Sequence, residues 1–261
     1  MHKILFPEAN NEYIKKAAAQ LSKQGVCEPI LEECNMMVAG QRVASGDADA
    51  MIAGVDYSSR DVIIACRDQI GIAGQIDSSE KKTFSSLFVA DFPDSRRYII
   101  SDGATCKNPT AEQLADIVIL VHSAAKKLLK DAPRVAMLSF STFGSGGKDP
   151  SMDKIAEAIK LVRERNPNIL IDGEMQLDAA VNERIGKKKS PHESEVAGRA
   201  NVLITPDINS GNILYKSLEQ FAGAKLAGPI LLGFNKPVSD LSRGSTAEDI
   251  VFTTECLVKL V

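Results

Sequence analysis

Short apolar runs alternate with amphipathic stretches from one end of the chain to the other, the pattern of a mostly parallel sheet wrapped by helices. Ile4-Leu5-Phe6 reads as a first strand. Ile14, Ala17, Ala18 and Leu21 then recur at helical spacing before Gly25 ends the helix. Further strands are predicted at Ile30-Leu31, Ala50 to Ala53, Tyr98 to Ile100, Val135 to Leu138, Ile169 to Ile171, Val202 to Ile204 and Ile230 to Leu232. Thr83 to Asp91 reads as an antiparallel strand or hairpin arm. Asp149 followed by Pro150 is a helix start with a steric reason: an N-cap acceptor and a first position that needs no donor. That helix runs to Arg165. The fold class is α/β.

Composition narrows the class. The chain has 261 residues, enough for one large domain or two small ones. It is 44% hydrophobic and 25% charged, which are globular averages. A net charge of -3 leaves no electrostatic footprint for nucleic acid, and the run Lys187-Lys188-Lys189 reads as a solvated helix end. No apolar stretch approaches the roughly 20 residues that span a bilayer, and the first residues lack a signal-peptide layout, so the expectation is a cytoplasmic protein away from membranes. Cys27, Cys34, Cys66, Cys106 and Cys256 are widely spaced without a C-x-x-C pair, which predicts reduced, mostly buried thiols.

Three segments hold candidate chemistry. TFGSGGKD, Thr142 to Asp149, lies between a strand and a helix, where amides and the helix dipole favour an anion. It is not a P-loop, because Thr142 and Asp149 stand where that motif needs glycine and Ser/Thr. Weak anion binding near Ser141 and Thr142 and a plain turn are the two readings left. Asp172, Glu174 and Asp178 follow a predicted strand, either as a divalent-metal site or as caps of a helix from Gln176 to Arg184. The third segment places Ser242, Arg243, Ser245 and Asp249 together at the mouth of the last helix. Ser245 with Glu248 fits a capping box. Arg243 does not fit it, since a cation before a helix N-terminus opposes the dipole unless an anion sits between them.

Longer blocks carry a resemblance. ISDGATCKNPTAEQLA at 100 to 115, MLSFST at 137 to 142, DGEMQLDAA at 172 to 180, VAGRANVLITPD at 196 to 207, SGNILYK at 210 to 216 and KPVSDLSRG at 236 to 244 closely resemble the phosphate acetyltransferase family. The acidic residue and glutamine of DGEMQ fit its acetyl branch better than its butyryl branch. The resemblance implies transfer of an acetyl group between coenzyme A and inorganic phosphate, in a fold of isocitrate/isopropylmalate dehydrogenase-like topology. By the same likeness the first lobe comprises residues 1–75 with 229–261 and the second 76–228. It also implies that Asp249 is the general base for the coenzyme A thiol, that Arg243 stabilises charge on the acetyl carbonyl, and that Ser242 is its hydrogen-bonding neighbour. No metal or bound cofactor is required, and a homodimer is expected.

Two departures stand out against that family. Members look several dozen residues longer between the strand near Ile30 and the strand at Ala50, where an arginine associated with coenzyme A usually lies. A second family arginine aligns with Ile64. Arg60 and Arg67, four before and three after it, are spaced to share a helical face and substitute for the lost charge in substrate binding. The departures also leave an alternative, an impaired member that binds acetyl-CoA or a phosphate ligand as a sensor or partner subunit. A dehydrogenase of the same topology ranks behind both, since no G-x-G-x-x-G follows the first strand.

Overall fold

The computed structural model describes residues 1–74 and 82–261. By packing, the chain forms two compact units, Met1–Gly74 with Lys225–Val261, and Gln75–Ala224. The first opens with strand β1 (Lys3–Phe6), helix α1 (Glu12–Gln24), β2 (Glu28–Leu31), α2 (Met36–Ser45), β3 (Ala50–Ala53) and α3 (Ser59–Ala65), which runs into a π-helical turn at Cys66–Ile70. The second holds β4 (Ser85–Asp91), β5 (Arg97–Ser101), α4 (Ala111–Leu128), β6 (Arg134–Leu138), α5 (Pro150–Arg165), β7 (Leu170–Met175), α6 (Leu177–Val181), α7 (Glu183–Lys189), β8 (Val202–Ile204) and α8 (Ile208–Ala222). The chain then completes the first unit with β9 (Lys225–Leu232), β10 (Val238–Asp240) and α9 (Ala247–Leu257). The return therefore falls at Lys225, before the 229 expected, because β9 is one continuous strand.

In the first unit the strand order is β2-β1-β3-β10-β9, all parallel but β9, which runs antiparallel to β10. Ile4, Leu5 and Phe6 are fully buried, and α1 buries Ile14, Ala17, Ala18 and Leu21, the stripe its periodicity announces. Each such large side chain contributes about 1.5–3 kcal/mol by leaving water. Asn11 caps α1 from one end and Gly25, at φ 68°, closes it at the other. Only α2 separates β2 from β3, a direct crossover.

The second unit has the order β4-β5-β8-β6-β7, with β4 antiparallel to β5 and the others parallel. Thr110 and Gln113 form a capping box at the start of α4, and Asp149 caps α5 with Pro150 behind it. The helix expected from Gln176 to Arg184 is instead two short ones. They break at Asn182, whose side chain caps the second by accepting from Ile185 N. The strand β10 was not among the predicted ones. It has three residues, too few for an apolar run to stand out.

Candidate functional site

The Ser242–Asp249 segment is built by the exit from β10 and the entry to α9. Ser245 N donates to Ser242 O at 2.9 Å, closing a tight turn. That use of Ser245 overturns the expected Ser245/Glu248 box: the N-cap is Thr246, in extended conformation at φ -83° and ψ 171°. Asp249 N donates to Thr246 Oγ1 at 3.3 Å, and Asp249 Oδ2 accepts from Thr246 N and Oγ1, each at 2.8 Å. The carboxylate is thus oriented by a capping box shifted one residue along. Its other oxygen, Oδ1, meets no partner among the described residues and can accept a proton. Arg243 is exposed and likewise has no partner there, while Ser242 Oγ receives only a long contact of 3.4 Å from Gly244 N. A free guanidinium, a free hydroxyl and a half-free carboxylate therefore sit at one helix mouth. Such a set can bind an anion, steady an oxyanion and move a proton.

The loop after β6 does the opposite. Ser141 is fully buried, its Oγ donating to Glu174 Oε1 at 2.8 Å and accepting from Gly146 N at 2.9 Å. Thr142 Oγ1 accepts from Gln176 N at 3.0 Å, and Thr142 N donates to Ser145 Oγ at 3.0 Å. Phe143 N reaches Glu174 O, Gly144 N reaches Glu174 Oε1, Ser145 N reaches Thr142 O and Gly147 N reaches Gly144 O. Every backbone N–H from Ser141 to Gly147 has an internal acceptor once Ser141 N is added, which reaches Ser139 Oγ at 3.3 Å. The expected anion cradle is filled from within, by the Glu174 carboxylate on Gly144 N and by nearby hydroxyls and carbonyls on the rest.

That also corrects the reading of the acidic cluster. Glu174 braces the loop after β6, and Asp172 accepts from Ser194 Oγ at 2.6 Å and pairs with His192 Nε2 at 3.0 Å. Neither caps the following helix. Asp178 pairs with Lys189 at 3.0 Å, which together with its bond from Ala179 N lowers its pKa. Among the described residues no group of three or more metal-ligating side chains converges.

Arg60 and Arg67 do not share one regular helix. The α-helix ends at Ala65, and Gly71 N bonds to Cys66 O, so the winding widens just where Arg67 lies. Arg67 is ion-paired with Asp68 at 2.7 Å, whereas Arg60 is exposed and without a partner among the described residues. All five cysteines are free. Burial pushes the Cys27 thiol up to about 11 and, with the nearby Asp240 charge adding to it, the Cys66 thiol up to about 12.

Two buried carboxyls of the first unit escaped notice in the sequence. Glu8, 2% exposed, accepts from four successive amides, Gly54 N (2.9 Å), Val55 N (3.3 Å), Asp56 N (2.6 Å) and Tyr57 N (2.9 Å). Asp240, also 2% exposed, ends β10 two residues before Ser242. The available signal was an acidic residue directly following a strand, at the edge where parallel sheets put ligands.

The fold is α/β, and its helix mouth presents groups able to bind an anion and move a proton. The phosphate acetyl/butaryl transferase family model matches residues 30–257, and the chain belongs to that family. It is 42% identical over 230 residues to a phosphate acetyltransferase of Treponema pallidum, covering 85% of this chain and 66% of the relative. The chain spans about two thirds or less of the curated relatives it matches. A crystal structure of a phosphotransacetylase from Streptococcus pyogenes has a TM-score of 0.88 at 32% identity, with 99% of this chain and 93% of that one covered. A 4-hydroxythreonine-4-phosphate dehydrogenase from Klebsiella pneumoniae, at 11% identity, TM-score 0.58 and 99% coverage of both chains, shares the fold alone.

Proposed function

We propose that the protein transfers an acetyl group between coenzyme A and inorganic phosphate. The observation that carries this reading is the helix mouth at Ser242–Asp249, with Arg243 unpaired and Asp249 held by one oxygen. Asp249 takes the thiol proton of coenzyme A, which at a pKa of roughly 8.5 is mostly protonated near neutrality. The thiolate attacks the acetyl carbon of acetyl phosphate, and the carbonyl electrons move to oxygen. The Arg243 guanidinium and the Ser242 hydroxyl meet that charge. Collapse of the adduct breaks the bond to the phosphate oxygen, which leaves with its electron pair as inorganic phosphate. Among the described residues Arg60 is the unpaired arginine nearest in sequence to Ile64, where the family's second arginine aligns, and Arg67 joins it only by releasing Asp68. Ser141 and Thr142 enter as residues that shape their loop rather than as free donors.

The reading includes no metal or bound cofactor, and five free thiols support a reducing, cytoplasmic setting. Among the described residues no helix is long and apolar enough to cross a membrane. A homodimer is supported by α8, whose Ile213 and Phe221 are 66% and 89% exposed. Light scattering tests that assembly. The activity is tested by acetyl-CoA formation from acetyl phosphate and coenzyme A, beside propionyl and butyryl phosphates. Turnover with acetyl phosphate that collapses in Asp249→Ala and Arg243→Ala is the expected result. Binding of acetyl-CoA without turnover of any acyl phosphate would replace the enzyme with the binding-only alternative.

A further inference from the structure

Glu8 and Asp240 are equally buried at the same end of the first unit's sheet, yet only one is satisfied. Four amides hold Glu8. Asp240 Oδ1 is buried with no hydrogen-bond partner among the described residues. A buried acceptor left unpaired costs about 1–3 kcal/mol, so its retention beside a functional turn calls for a reason. The oxygen points at Gly54, which sits at φ 106°; a Cβ there would lie 2.5 Å from Asp240 Oδ1 and 2.8 Å from both Leu241 N and Leu241 O. Leu241 N in turn donates to Ala53 O at 2.6 Å, the last pairing before the chain leaves the sheet. The carboxyl is therefore wedged between the Gly54 turn and the residue that starts the Ser242–Arg243 turn.

We infer that Asp240 is a positioning residue for the proposed transfer: its buried carboxyl sets the direction in which β10 delivers Ser242 and Arg243, and gaining or losing its proton changes that turn. The inference rests on the functional reading above. Burial pushes the Asp240 carboxyl up to about 6, with the nearby Ser59 hydroxyl holding it back and the Glu8 charge adding to the rise. Among the described residues the ionisable groups that face it are Glu8, from the loop after β1, and Cys66, from the π-helical turn. Once protonated, the carboxyl turns from acceptor to donor at the same Gly54 corner that Leu241, the residue leading into Ser242, packs against. Above the midpoint it is a buried charge at that corner.

The test follows the Leu241, Ser242 and Arg243 amide shifts of the isotopically labelled full chain by NMR from about pH 4.5 to about pH 8. Wild type should titrate with a midpoint near 6, and Asp240→Asn should abolish that step. In the transfer assay Asp240→Ala should lower kcat by about tenfold or more while KM for coenzyme A stays within about threefold. Asp240→Asn, which keeps shape and acceptor, should recover most of kcat near pH 8 and lose the acid limb. Flat amide shifts in wild type overturn the inference, as does an Asp240→Ala enzyme within about twofold of wild type. If the alanine variant does not fold, the wild-type titration decides by itself. A wild type inactive with every acyl phosphate sinks the functional reading instead, a distinct result from a flat titration.

Discussion

The loop after β6 and the turn after β10 are made of the same materials, hydroxyls, glycines and charge before a helix, but use them differently. In the first, the Glu174 carboxylate and the Ser141 and Ser145 hydroxyls engage the loop's own amides. In the second, the guanidinium of Arg243 is left facing solvent. Composition alone does not distinguish a ligand site from a braced loop. What separates them is whether a buried carboxylate has reached the donors first, since a buried donor left unpaired is costly and will take the nearest acceptor.

The sharpest test of that contrast is Asp249→Ala, expected to lower kcat by about 10²–10⁴-fold through loss of the base. Arg243→Ala should lose about 10²–10³-fold with an unchanged melting temperature, because nothing in the fold leans on it. A comparable loss of activity and stability together would mean that the arginine is structural. Next in size is a pH effect on stability. Asp240 has a raised folded pKa, so its protonated form favours the fold; that contribution is full below about 4 and is lost as pH rises through about 6. Asp240→Asn should therefore gain on wild type with rising pH, by up to about 3 kcal/mol at pH 8, as read by urea unfolding.

In the braced loop the expected pattern reverses. Glu174→Ala should destabilise by about 1–3 kcal/mol, since it strands Ser141 Oγ and Gly144 N, and unfolding measurements check it. If instead stability holds and only substrate KM rises, Glu174 belongs to the site and the comparison fails. The smallest effect should be Thr246→Ala, which removes the cap of α9 for about 1 kcal/mol. It should also loosen Asp249, so a kcat drop larger than the stability loss would tie the cap to catalysis.

Much of the fold was legible because the relevant signals are local. The stripe Ile14, Ala17, Ala18, Leu21 and the pair Asp149-Pro150 depend on residues within a turn or two of each other. The π-helical winding at Cys66 and the short β10 were not, since each is held by partners far along the chain, Asn235 for the first and β3 and β9 for the second; the break at Asn182 is a local cap that the periodicity hid. The candidate catalytic turn was legible for a different reason: Arg243 contradicted the local helix-capping rule, and contradictions of that kind mark sites. The cap itself was misplaced by one residue. Ser245 and Thr246 are equivalent as local acceptors, and the bond from Ser245 N to Ser242 O chose between them.

The sequence by itself determined an α/β chain of the phosphate acetyl/butaryl transferase family, because periodicity and long motifs are written in residue order, and it nominated Ser242, Arg243 and Asp249 as the site to test. Only the tertiary structure decided which polar groups are still free. Glu8 meets amides 46 to 49 residues away and Ser141 meets a carboxylate 33 residues away. Hydrogen bonding is a short-range competition in space, so sequence separation carries no information about who wins it.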